Sequence, residues 1–198
     1  MSDGFIIRRG GSGGVDAFKA LVEGSITEVT ADMLESATSI KNFLFSNTAL
    51  TNITIPNNIT SIGSSAFREC INLTSIKIPN GITSIQDATF SYCTNLTSVT
   101  IPSSVTSIGT SAFGHCTSLA SITIPNSVTK LGYYCLGYCL NLKSVTIEAI
   151  SPPIAYNDQF YQPHYNLVIY VPAESVDAYK SASGWSEYAS KIQAIPSN

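Results

Sequence analysis

Charge is scarce in this chain. Of 198 residues, 10 are Lys or Arg and 13 are Asp or Glu, leaving a net charge of −3. Arg8-Arg9 is the only adjacent basic pair, so the charged footprint that nucleic-acid binding needs is missing. Long apolar runs are missing too: no segment approaches the roughly 20 residues of a membrane-spanning helix. The run in FIIRRGG is too short for a secretory signal, and no small-residue cleavage site follows it. Arg8-Arg9 lead into glycines, which does not fit a twin-arginine export signal.

Catalytic groups are equally sparse. There are two histidines, His115 and His164, and one tryptophan, Trp185. Gly10 to Gly14 spells G-x-S-x-G around Ser12, but a nucleophile elbow needs a strand before it and a helix after it, and a flexible glycine link is the simpler reading. His115 stands beside Cys116, which suggests a nucleophile and base. Cys135 and Cys139 form C-x-x-x-C with no second ligand pair nearby, so no zinc site is expected. No carboxylate pair or phosphate loop is evident. The expectation is a protein without enzymatic activity, metal or cofactor.

What the chain has in abundance is repetition, and internal repeats decide architecture. Leu50 to Asn72 reads LTNITIPNNITSIGSSAFRECIN, and three further copies begin at Leu73, Leu96 and Leu119, each 23 residues on. Ile53, Ile76, Val99 and Ile122 form one column, and Ile55, Ile78, Ile101 and Ile124 another. The residues between them are polar, so the pattern is a strand with one buried side. Pro56, Pro79, Pro102 and Pro125 end the strand, because proline cannot donate to a ladder. A second short apolar pair (Ile59 and Ile62 in the first copy) and an Ala-Phe pair follow, Leu136 replacing the Phe in the last copy. One copy cannot bury this set, whereas stacked copies give each apolar side chain a like neighbour. Cys70, Cys93, Cys116 and Cys139 share the same spacing. Buried packing of small apolar thiols explains that column; disulfides between neighbouring rungs are the alternative.

The phrase L-x-x-I-x-I-P-x-x-V/I-T-x-I-G-x-x-A-F-x-x-C resembles the 23-residue leucine-rich repeat of the BspA-like bacterial surface proteins. The resemblance covers Leu50 to about Ile147. It implies a right-handed leucine-rich-repeat superhelix, β-dominated, with one short parallel sheet and a C-terminal helical cap. It also implies a non-catalytic role in adhesion, and an extracellular or cell-surface location. The opening MSDGFIIRRGG is similar to the starts of some short phage and prophage tail-associated proteins. That implies a different setting, a virion component docked through Met1 to Gly14.

The chain divides into a flexible segment over 1–24, an imperfect capping repeat over 25–49, the regular array over 50–147, and an irregular repeat with a cap over 148–198. In the imperfect repeat, Ile40, Phe45 and Thr48 match Ile62, Phe67 and Cys70, and Ile26 with Val29 can supply a strand. Thr30 to Glu35 reads as a helical turn with Thr30 as N-cap. Ser151-Pro152-Pro153 breaks the pattern, Leu167 to Val171 is a last strand, and Ala173 to Ile192 reads as helix interrupted at Gly184. Val176, Tyr179, Trp185, Tyr188 and Ile192 can cover the final coil, as a solenoid end requires.

Two surfaces stand out as candidate sites. Asn52, Thr54, Ser75, Lys77, Ser98, Thr100, Ser121 and Thr123 are the polar positions of successive strands. Together they make a weakly charged, hydroxyl-rich face suited to a protein or glycan on a cell surface. A regular lattice such as ice is a further reading, which Lys77 and curvature oppose. Tyr156 and Tyr161, in the aromatic-rich stretch up to Tyr165, are the second candidate, since exposed rings make recognition surfaces. His115 occupies a variable row with Glu69, Tyr92 and Tyr138, expected to point outward. Asn72, Asn95 and Asn141 precede the repeat leucine, where asparagine shapes a turn through its side chain; glycosylation at the N-x-T sequons is the alternative. The array is expected to be a monomer, although edge strands leave association open.

Overall fold

The computed structural model describes residues 27–156 and 158–197. In each coil the chain runs through a short strand, a second strand of two residues, and a run of tight turns before returning. The first strands are β1 (Glu28–Val29), β3 (Asn52–Ile53), β5 (Ser75–Lys77), β7 (Ser98–Thr100), β9 (Ser121–Ile124) and β11 (Ser144–Ile147). The second strands are β2 (Ser39–Ile40), β4 (Ser61–Ile62), β6 (Ser84–Ile85), β8 (Ser107–Ile108) and β10 (Lys130–Leu131). Among the described residues all pairings are parallel, and in the regular array the buried positions stack like over like: Ile76 faces Val99, Ile122 faces Val145, and Ile85 faces Ile108.

The structure therefore corrects the expectation of a single sheet. The Ile59/Ile62 segment also builds a parallel column, and the first column is itself divided into the hydrogen-bonded groups β1–β3, β5–β7 and β9–β11. A third line of hydrogen bonds joins the turns. The amide of Phe67 donates to Thr89 O at 2.9 Å, that of Phe90 to Ala112 O at 2.8 Å, and that of Phe113 to Cys135 O at 2.9 Å. Buried backbone polar groups are thus satisfied between coils as well as by turns within each coil, such as the Cys70 amide to Phe67 O.

Left-handed backbone makes the turns possible. Ser65, Ala88, Ser111 and Tyr134 form one column with φ between 52° and 56°, and Glu69, Tyr92, His115 and Tyr138 another with φ between 59° and 62°. Non-glycine residues are uncommon in this region. Here a strained conformation recurs at 23-residue intervals, held by the amides of both columns bonding to the next coil.

Inside the coil, Leu50, Leu73, Leu96 and Leu119 are wholly buried. Phe45, Phe67, Phe90 and Phe113 stack one over the next at 5.3, 5.3 and 5.4 Å, with ring planes within 18° of parallel. The imperfect repeat aligns as its spacing suggests: Ile40 pairs with Ile62, Phe45 stacks on Phe67, and Thr48 Oγ1 lies 3.6 Å from Cys70 Sγ. Ala31–Leu34 is a 3₁₀ turn, and Thr30 precedes it in extended backbone without a side-chain capping bond. Asn58 reaches back instead, its amide donating to the carbonyls of Leu34, Glu35 and Ala37.

At the far end β12 (Val168–Val171) pairs with β11. A 3₁₀ turn, Ala173–Ser175, leads into α1 (Val176–Ser181), and a further 3₁₀ segment spans Ser186–Lys191. Gly184 separates the last two with φ 81°, and a side chain there would collide with the Ala155 carbonyl. Tyr179, Trp185, Tyr188 and Ile192 are buried, while Val176 is only partly so. The Trp185 indole N–H donates to Pro153 O, and the Tyr179 hydroxyl to Ala149 O, each at 2.8 Å. Ile192 is not helical: Ile192–Ala194 is β13, a parallel strand beside β12.

Candidate binding surfaces

The eight strand positions named from the sequence, Asn52, Thr54, Ser75, Lys77, Ser98, Thr100, Ser121 and Thr123, are all exposed. The alternation of a strand puts them on one face. Ser75 pairs with Ser98 and Lys77 with Thr100; Ser121 and Thr123 pair with Ser144 and Thr146. The surface is two adjacent polar columns, in which Lys77 is the one ionised group among the eight.

Tyr156 and Tyr161 belong to a wider arrangement than an irregular loop. Each lies 23 residues beyond a tyrosine of the previous coil, so the aromatic columns continue past the proline break. Tyr156 stacks on Tyr133 at 3.8 Å with planes 16° apart. Tyr161 meets Tyr138 and Tyr134 edge-on at 5.2 and 5.4 Å. Behind Tyr138 the row continues through His115 at 4.3 Å and Tyr92 at 4.1 Å, and the Arg68 guanidinium carbon lies 5.8 Å from the Tyr92 ring centre. His115 is therefore sandwiched and half-buried, not simply outward, and burial lowers its pKa. Sequence reasoning passed over Tyr92, Tyr133, Tyr134 and Tyr138 as candidates; for Tyr92, Tyr133 and Tyr138 the repeat spacing from Tyr156 and Tyr161 was the available signal, whereas Tyr134 has none.

Tyr133, Tyr156 and Tyr161, with Asp158, Ser183, Gly184 and Glu187, line a cleft of about 510 Å³. The Asp158 charge holds the neighbouring Tyr134 phenol above its ordinary pKa. The Tyr134 phenol also donates a hydrogen bond to Asp158, while Asp158 Oδ1 is buried without a hydrogen-bond partner. His164 stacks against Tyr165 at 4.5 Å, and its Nδ1 accepts from the Asn166 amide.

The thiols have a different environment. All five cysteines are free and buried. Cys70, Cys93, Cys116 and Cys139 each donate to the carbonyl of the phenylalanine one coil back, at 2.9 to 3.2 Å. Burial pushes the Cys70 pKa up to about 11 and that of Cys139 up to about 12, and raises Cys93, Cys116 and Cys135 as well. Only the thiolate is a nucleophile or metal ligand, so this column is held in its unreactive form. The pairing of His115 with Cys116 fails on the same geometry: the thiol points inward to Phe90 O while the imidazole packs between tyrosines. No group of three or more His, Cys, Asp or Glu side chains able to hold a metal is present among the described residues. No helix among them is long and apolar enough to cross a membrane. Ser12, Arg8-Arg9 and the docking peptide expected over Met1 to Gly14 lie outside the described residues.

The family profile described as "BspA type Leucine rich repeat region" matches six copies across residues 38–164. The chain belongs to this family. Among solved structures, this BspA-type chain is similar to the leucine-rich repeat protein TpLRR of T. pallidum. The two are 24% identical, with 80% of each chain covered and a TM-score of 0.61. It is also similar to a leucine-rich repeat protein from Bacteroides ovatus, 26% identical over 68% of this chain, with a TM-score of 0.53. The pneumococcal vaccine antigen PcpA shares the fold at 18% identity over 81% of this chain, with a TM-score of 0.55. The aligned region is 43% of the B. ovatus chain and 42% of PcpA. No curated protein sequence matches the chain.

Proposed function

We propose that this BspA-type array is a non-catalytic recognition module of a bacterial surface protein, contacting a protein or a glycan on a cell surface through its strand face. The observation that carries this is the register of exposed polar columns, from Asn52 and Thr54 to Ser121 and Thr123, on one continuous side of the stack. Such a face offers hydroxyl donors and acceptors with little charge to desolvate, which suits a neutral polar partner. Membership of a family of bacterial leucine-rich repeat proteins supports a binding role. We read the superhelix as right-handed, with the segment after Pro172 as its cap.

Replacing Thr54, Ser98, Thr100 and Thr123 together by Trp tests the reading. Protein-coated beads bearing the variant are expected to lose attachment to bacterial cells or host matrix, while the melting temperature stays within about 8 °C, because four exposed substitutions at about 0.5 kcal/mol or less each move stability by about 2 kcal/mol at most. Undiminished attachment by the folded variant would remove this face from the site.

A further inference from the structure

We infer that the cleft between Tyr156, Tyr161, Asp158 and Glu187 receives an arginine side chain of a protein partner. The molecule supplies its own precedent at the opposite end of its aromatic columns. There the terminal ring, Tyr92, is covered by the Arg68 guanidinium at 5.8 Å, and the same guanidinium pairs with Glu69 at 2.9 Å. Guanidinium, tyrosine face and carboxylate form a complete set. At the other end the tyrosines and carboxylates recur without the cation. Tyr133 covers one face of Tyr156, so that ring has one remaining face. Asp158 and Glu187 share the cleft with it, and no described basic side chain forms an ion pair with either.

The neighbouring cations are placed elsewhere. Lys130 lines the adjoining groove together with Asp87, and Lys191 Nζ donates to Tyr165 O at 3.1 Å. The Tyr134 phenol donates to Asp158 and the Tyr188 phenol to Glu187, but no described cation neutralises either charge. The cleft thus carries two carboxylates without a paired cation beside one free aromatic face. A planar guanidinium answers both features, stacking on the ring while its N–H groups face the carboxylates. At about 510 Å³ the volume is ample for one such side chain. A saccharide fits less well. It needs open ring faces in series, whereas both faces of His115 are covered by Tyr92 and Tyr138, the Arg68 guanidinium lies over Tyr92, and Tyr133 and Tyr156 each cover one face of the other.

This site is separate from the strand face, so the two can fail independently. The test titrates the isotope-labelled chain with a tetra-arginine peptide and follows backbone amide signals by NMR. The expected result is selective shifts at Tyr161, Ser183 and Gly184, weakened by raising the salt from 20 to 200 mM. An Asp158→Asn, Glu187→Gln double variant with otherwise unchanged spectrum should bind at least about tenfold more weakly. A tetra-norleucine peptide carrying solubilising polyethylene glycol should leave these signals unmoved. Absence of shifts at the cleft, equal binding by the double variant, or shifts produced by xylohexaose but not by the peptide would each overturn the assignment.

Discussion

Cys93 illustrates how much a single repeated residue does in this chain. Its thiol donates to Phe67 O at 3.1 Å, a carbonyl that also accepts the Cys70 amide at 3.1 Å, so the second lone pair of a buried carbonyl finds a donor. Filling space is therefore half of the thiol's role; the other half is a weak hydrogen bond repeated once per coil. The burial that protects these thiols has a cost at high pH. In the unfolded chain a thiol loses its proton near pH 8.5, whereas in the fold Cys70 holds it to about 11 and Cys139 to about 12. Between those values the unfolded state binds fewer protons, so stability falls as pH rises, by up to about 1.4 kcal/mol per pH unit for each thiol. Urea midpoints are expected to drop steeply between pH 8.5 and 11 and to be nearly flat just below that range. A Cys93→Ala, Cys116→Ala variant, weaker at pH 8, should lose less over the alkaline interval. An identical alkaline slope in that variant would show that the thiols do not drive the transition.

The phenylalanine column shows what a repeated residue becomes when its copies form an element. Each ring is wholly buried, Phe67 and Phe90 between two others, and the parallel offset follows from coil spacing rather than from any local preference of the chain. Phe90→Ala should cost about 3–5 kcal/mol, since a large cavity opens in a rigid stack. Phe90→Leu is the informative partner, because Leu136 already occupies the equivalent place one coil after Phe113 and is buried there. Its cost is expected near 1–2 kcal/mol, the loss of ring contacts on both sides with most of the volume kept. Denaturant midpoints measure both, and equal costs would mean that the stack tolerates no void at all. The left-handed columns are also an element-scale fact. Ala88 or Tyr138 alone gives no hint of positive φ; the hydrogen bonds of neighbouring coils impose it.

For the whole molecule, stability is close to a sum over coils and their interfaces. Damage should therefore stay local. Trp185 is the largest buried side chain at the C-terminal end, lying edge-on to Tyr179 at 5.0 Å and to Phe160 at 6.2 Å. Trp185→Ala removes that packing and the bond to Pro153 O, a loss of about 3–5 kcal/mol. Hydrogen exchange should accelerate first in β12 and β13, with β5 and β7 protected for longer. Uniform loss of protection along the chain would mean that the array unfolds as one cooperative unit.

The sequence by itself determined the repeat, its 23-residue register, the strand with its buried and exposed sides, and the stacking of Leu, Phe and Cys columns. It could do so because like-on-like stacking turns sequence period directly into spatial neighbourhood. It placed the eight strand-face positions correctly on the outside for the same reason. Only the tertiary structure decided that the Ile59/Ile62 segment pairs as a second column, since two residues are too short to carry a period. It alone turned the tail from Ile192 into a strand, an outcome set by the open edge of β12. The same holds for Tyr156 and Tyr161. Their repeat spacing was legible across the proline break, but their meeting with Asp158, Gly184 and Glu187 depends on where the last turns of the chain fold back, and contacts between distant segments carry no local signature.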